Sequence, residues 1–215
     1  NDSDFEIKYE TLKSLPSLLR KENWNVTVVV HNNKEVICCE AGNTLDDLYG
    51  TAIDVGTSKI VVYVVDLKSG KTLGTGLIEN PQIMYGEEII SRIAYASQSE
   101  RNLKNLQLMV ITAVNEALLQ ACEEAKVSWK NIYEAIFVGN TAMHHLFYGI
   151  QPKHVALSPY VPATGSSIYA KAKDLGIKIN PMANVYSLEV IGGFVGPDAV
   201  ADALATGIYK TDEIS

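Results

Sequence analysis

The sequence predicts an α/β fold for most of this 215-residue chain: a mixed five-stranded sheet, three antiparallel strands plus parallel strands, flanked by helices and preceded by a small α+β unit. Three observations carry the expectation. Residues 51–78 read as three apolar runs joined by tight polar turns; residues 106–125 keep helical apolar spacing; and from residue 132 onward apolar strands alternate with helices. With 47% hydrophobic and 20% charged residues, the chain has the composition of a globular protein with a full core. A net charge of −7 without any dense basic cluster argues against nucleic acid as a partner. No apolar run approaches the ~20 residues that cross a bilayer, and the first residues are acidic rather than signal-like, so no membrane partner and a cytoplasmic location are expected.

Residues 1–49 are expected to form the small unit. Leu12, Leu15, Leu18 and Leu19 fall at helical spacing, residues 25–30 are rich in β-branched side chains, and His31-Asn32-Asn33-Lys34 is a turn into a second strand. Two of the three cysteines, Cys38 and Cys39, are adjacent in that strand and Cys122 lies on a helical apolar face, a spacing that fits buried thiols rather than a disulfide framework or metal ligands. Residues 41–50 are a polar connection, and residues 50–215 form the larger domain.

That domain opens with strands at residues 51–55, 60–65 and 72–78. The first link, Gly56-Thr57-Ser58-Lys59, follows a carboxylate, Asp54, at the end of an apolar run. Glycine lets the backbone come close to a ligand, while the next residues offer hydroxyls, amides and a cation. Such a turn suits phosphate oxygens, with the carboxylate holding Mg²⁺ or its water. The plainer alternative is an ordinary hairpin with a polar turn. After the breaker Asn80-Pro81, a short helix starts near Gly86, and the long helix presents Leu106, Met109, Val110, Ala113, Val114, Ala117, Leu118, Ala121, Cys122 and Ala125 on one face. A strand at residues 132–138 runs through Gly139-Asn140-Thr141 into a helix ending at Gly149, and a helix N-terminus favours anions. Residues 152–181, punctuated by prolines, read as a surface excursion with one short helical pattern. A last strand at residues 185–191 leads through Gly192-Gly193 to Pro197-Asp198 and an apolar helix ending at Gly207. Three polar segments, residues 54–59, 139–141 and 192–198, thus each follow an apolar strand, where ligands of such sheets collect.

The same residues carry a resemblance. AIDVGTSK resembles the first phosphate motif of the superfamily of acetate and sugar kinases, heat-shock chaperone ATPases and actin, and GPDAVADALATGI resembles its lobe-connecting helix. More specifically IENPQIMYGEEIISRIAYA, FVGNTAMHHLFYGIQP and LGIKINPMANVYSLEVIGGFVGPDAVA are similar, in order and spacing, to the ATPase domain of the reductive activators of corrinoid proteins, over about residues 24–207. The resemblance implies a ribonuclease-H-like first ATPase lobe behind the end of a linking domain. It implies an ATP-dependent activity that returns the Co(II) corrinoid of a methyltransferase system to Co(I), with a corrinoid protein as partner and a homodimer left open. It places Asp54 near Mg²⁺ and its water, Gly56, Thr57, Ser58 and Lys59 around the phosphates, Asn140 and Thr141 on the same cleft, and Asp198 on the metal side. Asp54 and Asp198 are the catalytic candidates. The family's iron–sulfur cluster is bound by closely spaced cysteines, which this chain lacks, so the cluster is expected outside it. The second phosphate motif and adenosine site do not appear either, so the chain reads as a fragment with weak ATP affinity. The alternatives are a non-catalytic interaction module and a half domain of a sugar-kinase-like phosphotransferase. His144-His145 and the two tryptophans, Trp24 and Trp129, read more simply as structural and packing residues than as ligands.

Overall fold

The structure is a computed structural model that describes residues 5–210, and it divides into two compact units between Tyr49 and Gly50. In the smaller unit, β1 (Glu6–Ile7) is followed by α1 (Tyr9–Lys21), then by β2 (Val26–His31) and β3 (Glu35–Ala41). The sheet order is β1-β3-β2, with β1 parallel and β2 antiparallel to β3. Asn32 and Asn33 both take positive φ in the turn, which asparagine tolerates better than most residues. Helix α1 is tied to β3 where the buried Thr11 hydroxyl donates to the Ile37 carbonyl at 3.0 Å. Two expectations fail here. Cys38 and Cys39 are only half-buried, and Trp24, at positive φ beyond the helix, is 72% exposed rather than packed.

The larger unit contains β4 (Tyr49–Val55), β5 (Lys59–Asp66), β6 (Thr72–Glu79), α2 (Ile89–Ser97), α3 (Glu100–Ala125), β7 (Ile132–Val138), α4 (Thr141–Tyr148), β8 (Ile168–Lys171), α5 (Ala172–Leu175), β9 (Asn184–Ser187) and α6 (Pro197–Thr206). Its sheet runs β6-β5-β4-β7-β9-β8. Strands β5 and β6 are antiparallel, β7 and β9 parallel, and β8 and β9 antiparallel, so the sheet is mixed as expected. It has six strands rather than five. The extra one, β8, lies in the stretch read as a surface excursion; its four residues are too short for a period and carry an exposed Tyr169 at the edge. Strand β9 is shorter than the predicted 185–191, because Phe137 of β7 and Ile168 of β8 are the last residues registered with it, both opposite Ser187. Val190 stays buried without a ladder partner in the strand sense.

Alternation along β4 and β5 buries Ile53, Val55, Ile60, Val62 and Val64, with β5 packed beneath α3, while Asp54 points to the opposite face of β4. On α3 the buried stripe Leu106, Val110, Ala113, Val114, Ala117, Leu118, Ala121 and Cys122 follows the predicted spacing; Ile111 and Asn115 widen it, and Met109 and Ala125 sit at its edge. The helix lies on β6 at Gly74 and Gly76, where an added Cβ would stand 2.2 Å from the Ala121 carbonyl oxygen and 1.8 Å from that of Ala117. Only glycine permits that approach. Ser99 caps α3 by accepting the Asn102 N–H, and Lys126 ends it in the left-handed region. Among the described residues no helix is long and apolar enough to cross a membrane.

Candidate functional site

The end of the sheet beyond β4, β7 and β9 gathers the three polar segments. Gly139 follows β7 so closely beside the end of β4 that a Cβ on it would lie 2.9 Å from the Val55 carbonyl oxygen. Gly196 presses on the same place, its Cβ position 2.5 Å from both the Gly139 oxygen and the Thr141 nitrogen. The Asp198 N–H in turn donates to the Gly139 carbonyl at 3.3 Å. These contacts fix the starts of α4 and α6 against each other and against the turn between β4 and β5.

Asp54 is the last polar residue of β4. Its carboxyl opens to solvent on one side and is crowded by protein on the other, and its pKa is raised, first by desolvation and then by the carboxylates of Asp198 and Asp202. Asp202 was not singled out from the sequence, although it lies one turn after Asp198 on α6, where i,i+4 spacing brings two side chains to one face. Asp198 is half-exposed and its Oδ1 accepts the Ala199 N–H at 2.8 Å, in the first turn of a helix begun by Pro197. Asp54 thus stands in the field of two further carboxylates, a repulsion that a cation relieves. Among the described residues no three His, Cys, Asp or Glu side chains are grouped tightly enough to hold a metal ion by themselves.

The turn after Asp54 is tight: the Gly56 N–H donates to the Lys59 carbonyl at 2.9 Å. Among the described residues no protein acceptor takes the Thr57 or Ser58 N–H, so both are open to an anion or water. Ser58 and Lys59 are exposed and Thr57 half-exposed. Asn140 sits across from the turn. Its Oδ1 caps α4 by accepting the Ala142 and Met143 N–H groups, each at 3.0 Å, and its Nδ2 donates to Thr57 Oγ1 at 3.4 Å. Thr141 behaves differently from its neighbours: it is fully buried and its hydroxyl donates to the Gly192 carbonyl at 2.6 Å, tying α4 to the segment that carries Asp198.

The two histidines of α4 are buried and hydrogen-bonded within the fold. His145 Nδ1 lies 2.7 Å from the Thr141 carbonyl, and its Nε2 accepts the Ala163 N–H at 3.0 Å, which fixes the proton on Nδ1. His144 Nε2 meets Ser187 Oγ at 3.0 Å, and its Nδ1 has no hydrogen-bond partner. Burial, then the neighbouring His145, lowers the His144 pKa to about 4. The buried Tyr148 hydroxyl faces the same Ser187 without meeting hydrogen-bond geometry, and burial pushes it up to about 12.

With this geometry in view, the likeness to known proteins is informative. Residues 1–46 match the RACo linker region and residues 49–211 the RACo middle region. A curated relative, the corrinoid activation enzyme RamQ of Eubacterium limosum, is 32% identical over 194 residues, which cover 90% of this chain and 33% of RamQ. Among solved structures, a reductive activator for corrinoid, iron–sulfur protein superposes with a TM-score of 0.89 at 36% identity, over 100% of this chain and 35% of that one. The chain therefore spans about a third of the length of the relatives it matches. The larger unit is a ribonuclease-H-like lobe, as in that activator. The chain belongs to the RACo family and carries its linker and middle regions.

Proposed function

We propose that this chain is part of an ATP-dependent reductive activator that returns the Co(II) corrinoid of a methyltransferase corrinoid protein to Co(I), and that its larger unit is the first lobe of the ATPase domain. The observation that carries the reading is the meeting, at one end of the sheet, of a turn with open N–H groups and a carboxylate, Asp54, that is repelled by those of Asp198 and Asp202. Among the described residues the Thr57 and Ser58 N–H groups meet no protein acceptor and Asp54, Asp198 and Asp202 form no ion pair, which leaves the donors and the negative charge that a phosphate with its divalent metal requires. When bound, ATP would supply through its hydrolysis the free energy for the uphill electron transfer, with Mg²⁺ neutralising the phosphate charge.

The chain's own residues then divide the work. Gly56, Thr57, Ser58 and Lys59 surround the phosphates; Asp54 holds Mg²⁺ and its water; Asp198, with Asp202 behind it, completes the negative wall on the metal side. Asn140 holds the α4 N-terminus and the turn together from across the site. Thr141 contributes to the cleft through its place in the backbone, since its hydroxyl is spent on Gly192. The cluster that passes on the electron lies outside this chain, and the three free cysteines here suit a reducing cytoplasm. The test is spectroscopic: the full-length protein with an electron donor and a corrinoid protein should convert Co(II) to Co(I) absorbance only with Mg-ATP, and Asp54→Ala should abolish that conversion. Reduction that proceeds equally without ATP, or with Asp54→Ala, would overturn the reading.

A further inference from the structure

Asn80 lies 24 residues beyond Gly56, directly after β6, and is only 1% exposed, yet every polar group it owns is engaged. Its backbone N–H donates to the Ser58 carbonyl at 2.9 Å and its side-chain Nδ2 to the Gly56 carbonyl, also at 2.9 Å. Its Oδ1 accepts the Gln82 N–H at 3.0 Å, capping the short helical turn Pro81–Tyr85. The amide orientation is forced, because a reversed side chain would face oxygen to oxygen at Gly56 and nitrogen to N–H at Gln82. Nδ2 also reaches the Met143 sulfur at 3.7 Å, in the first turn of the helix that Asn140 caps.

The consequence concerns the other side of the turn. A trans peptide holds C=O and N–H in opposite directions, so drawing the Gly56 carbonyl inward onto Asn80 turns the Thr57 N–H outward. Holding the Ser58 carbonyl as well pins the turn at both ends of the Thr57-Ser58 pair. We infer that Asn80 is a positioning residue for the phosphate turn: from behind, it fixes the direction in which Thr57 presents its N–H group and anchors the peptide that follows Ser58, and through Met143 it sets that turn in register with the Asn140 side of the site. Asn80 itself cannot meet the ligand, since none of its polar atoms is free. The inference rests on the proposed reading of the turn as a phosphate site.

The experiment compares Asn80→Ser and Asn80→Ala with Asn115→Ala in the full-length protein, by titration calorimetry with Mg-ATP and with adenosine, alongside thermal melts. Serine keeps an acceptor for the Gln82 N–H and adds no charge but is too short to reach Gly56. Asn115 is the matched control, a buried amide that donates to the Gly176 carbonyl at 2.9 Å and accepts the Lys178 N–H at 2.8 Å, in another part of the lobe. Both Asn80 variants should raise the Mg-ATP Kd by about tenfold or more, the usual consequence of leaving a half-buried carbonyl unpaired and its peptide free to turn. Adenosine, which has no phosphate, should bind as before, and Asn115→Ala should lower the melting temperature with no change in Mg-ATP Kd. An unchanged Mg-ATP Kd in Asn80→Ser, or an equal loss of adenosine binding, would reduce Asn80 to a structural residue. If Asp54→Ala loses Mg-ATP binding while Asn80→Ser does not, this inference alone fails; if the unsubstituted protein does not bind Mg-ATP, the underlying reading fails with it.

Discussion

Lowering the pH should unfasten the larger unit at His144. The ring is fully buried between Ser187 and Tyr148, with His145 beside it, and its pKa falls from an ordinary 6.5 to about 4. The folded state therefore holds the neutral ring, while the unfolded chain takes up a proton below about pH 6.5. Stability from this group is complete above that value and is lost as pH falls towards 4, because the unfolded state binds more protons throughout that window. A separation of about 2.5 pH units, at 1.36 kcal/mol each, gives a limit of about 3.4 kcal/mol; the linkage expression gives a loss of about 2 kcal/mol at pH 5 and about 3 kcal/mol at pH 4. His145, also lowered chiefly by burial, acts in the same direction. The assay is urea denaturation at pH 7.5, 5 and 4 in a Trp24→Phe background, so that Trp129 alone reports the larger unit. The reference is His144→Gln, whose amide still reaches towards Ser187 but does not titrate. The unsubstituted chain should lose about 2 kcal/mol more than the variant between pH 7.5 and 5. Parallel pH curves for the two would refute the reasoning.

Three further outcomes follow from the packing and the site. Gly76→Ala places a methyl group 1.8 Å from the Ala117 carbonyl oxygen and must push α3 off β6, so it should destabilise by at least the ~1–3 kcal/mol typical of overpacking; a variant with an unchanged denaturation midpoint would show that the helix does not sit on the strand there. Leu118→Asp, at a position with no exposure, buries a charge without a partner and should cost several kcal/mol, read as a lowered thermal midpoint. Asp54→Asn should do the reverse at pH 7.5: a carboxyl whose folded pKa is raised is held ionised against the preference of the fold, so removing the charge should raise the melting temperature, by an amount that shrinks as pH falls through the carboxylate range. A lower melting temperature for Asp54→Asn at pH 7.5 would mean that the carboxylate is paired with a cation instead.

The sequence was most legible where a period repeated. The long helix and the three strands from Tyr49 to Glu79 could be read because burial imposes spacings of 3.6 and 2 over many residues. Strand β8 was not legible, since four residues at a sheet edge hold no period, and β9 ended early for a reason visible only in its neighbours. The site divides in the same way. Residues that follow an apolar strand, such as Asp54 and Asn140, announce themselves locally. Asp202 was within reach, one helical turn from Asp198. Asn80 was not: its role is to hold two carbonyls 22 and 24 residues earlier in the chain, and a sequence shows only that it precedes a proline. Nor does sequence reveal which way a hydroxyl turns, as Thr141 illustrates by facing Gly192.

The proposed function requires that the turn after β4 and the carboxylates beside it form a phosphate and metal half-site. Calorimetric titration of Mg-ATP into the full-length protein and its Asp54→Ala variant tests it most directly. Saturable binding is expected for the unsubstituted protein, with an affinity lower by roughly a hundredfold or more in the variant, since a carboxylate that holds the metal contributes on the order of 3 kcal/mol. Equal affinities for the two proteins, with both folded, would contradict it.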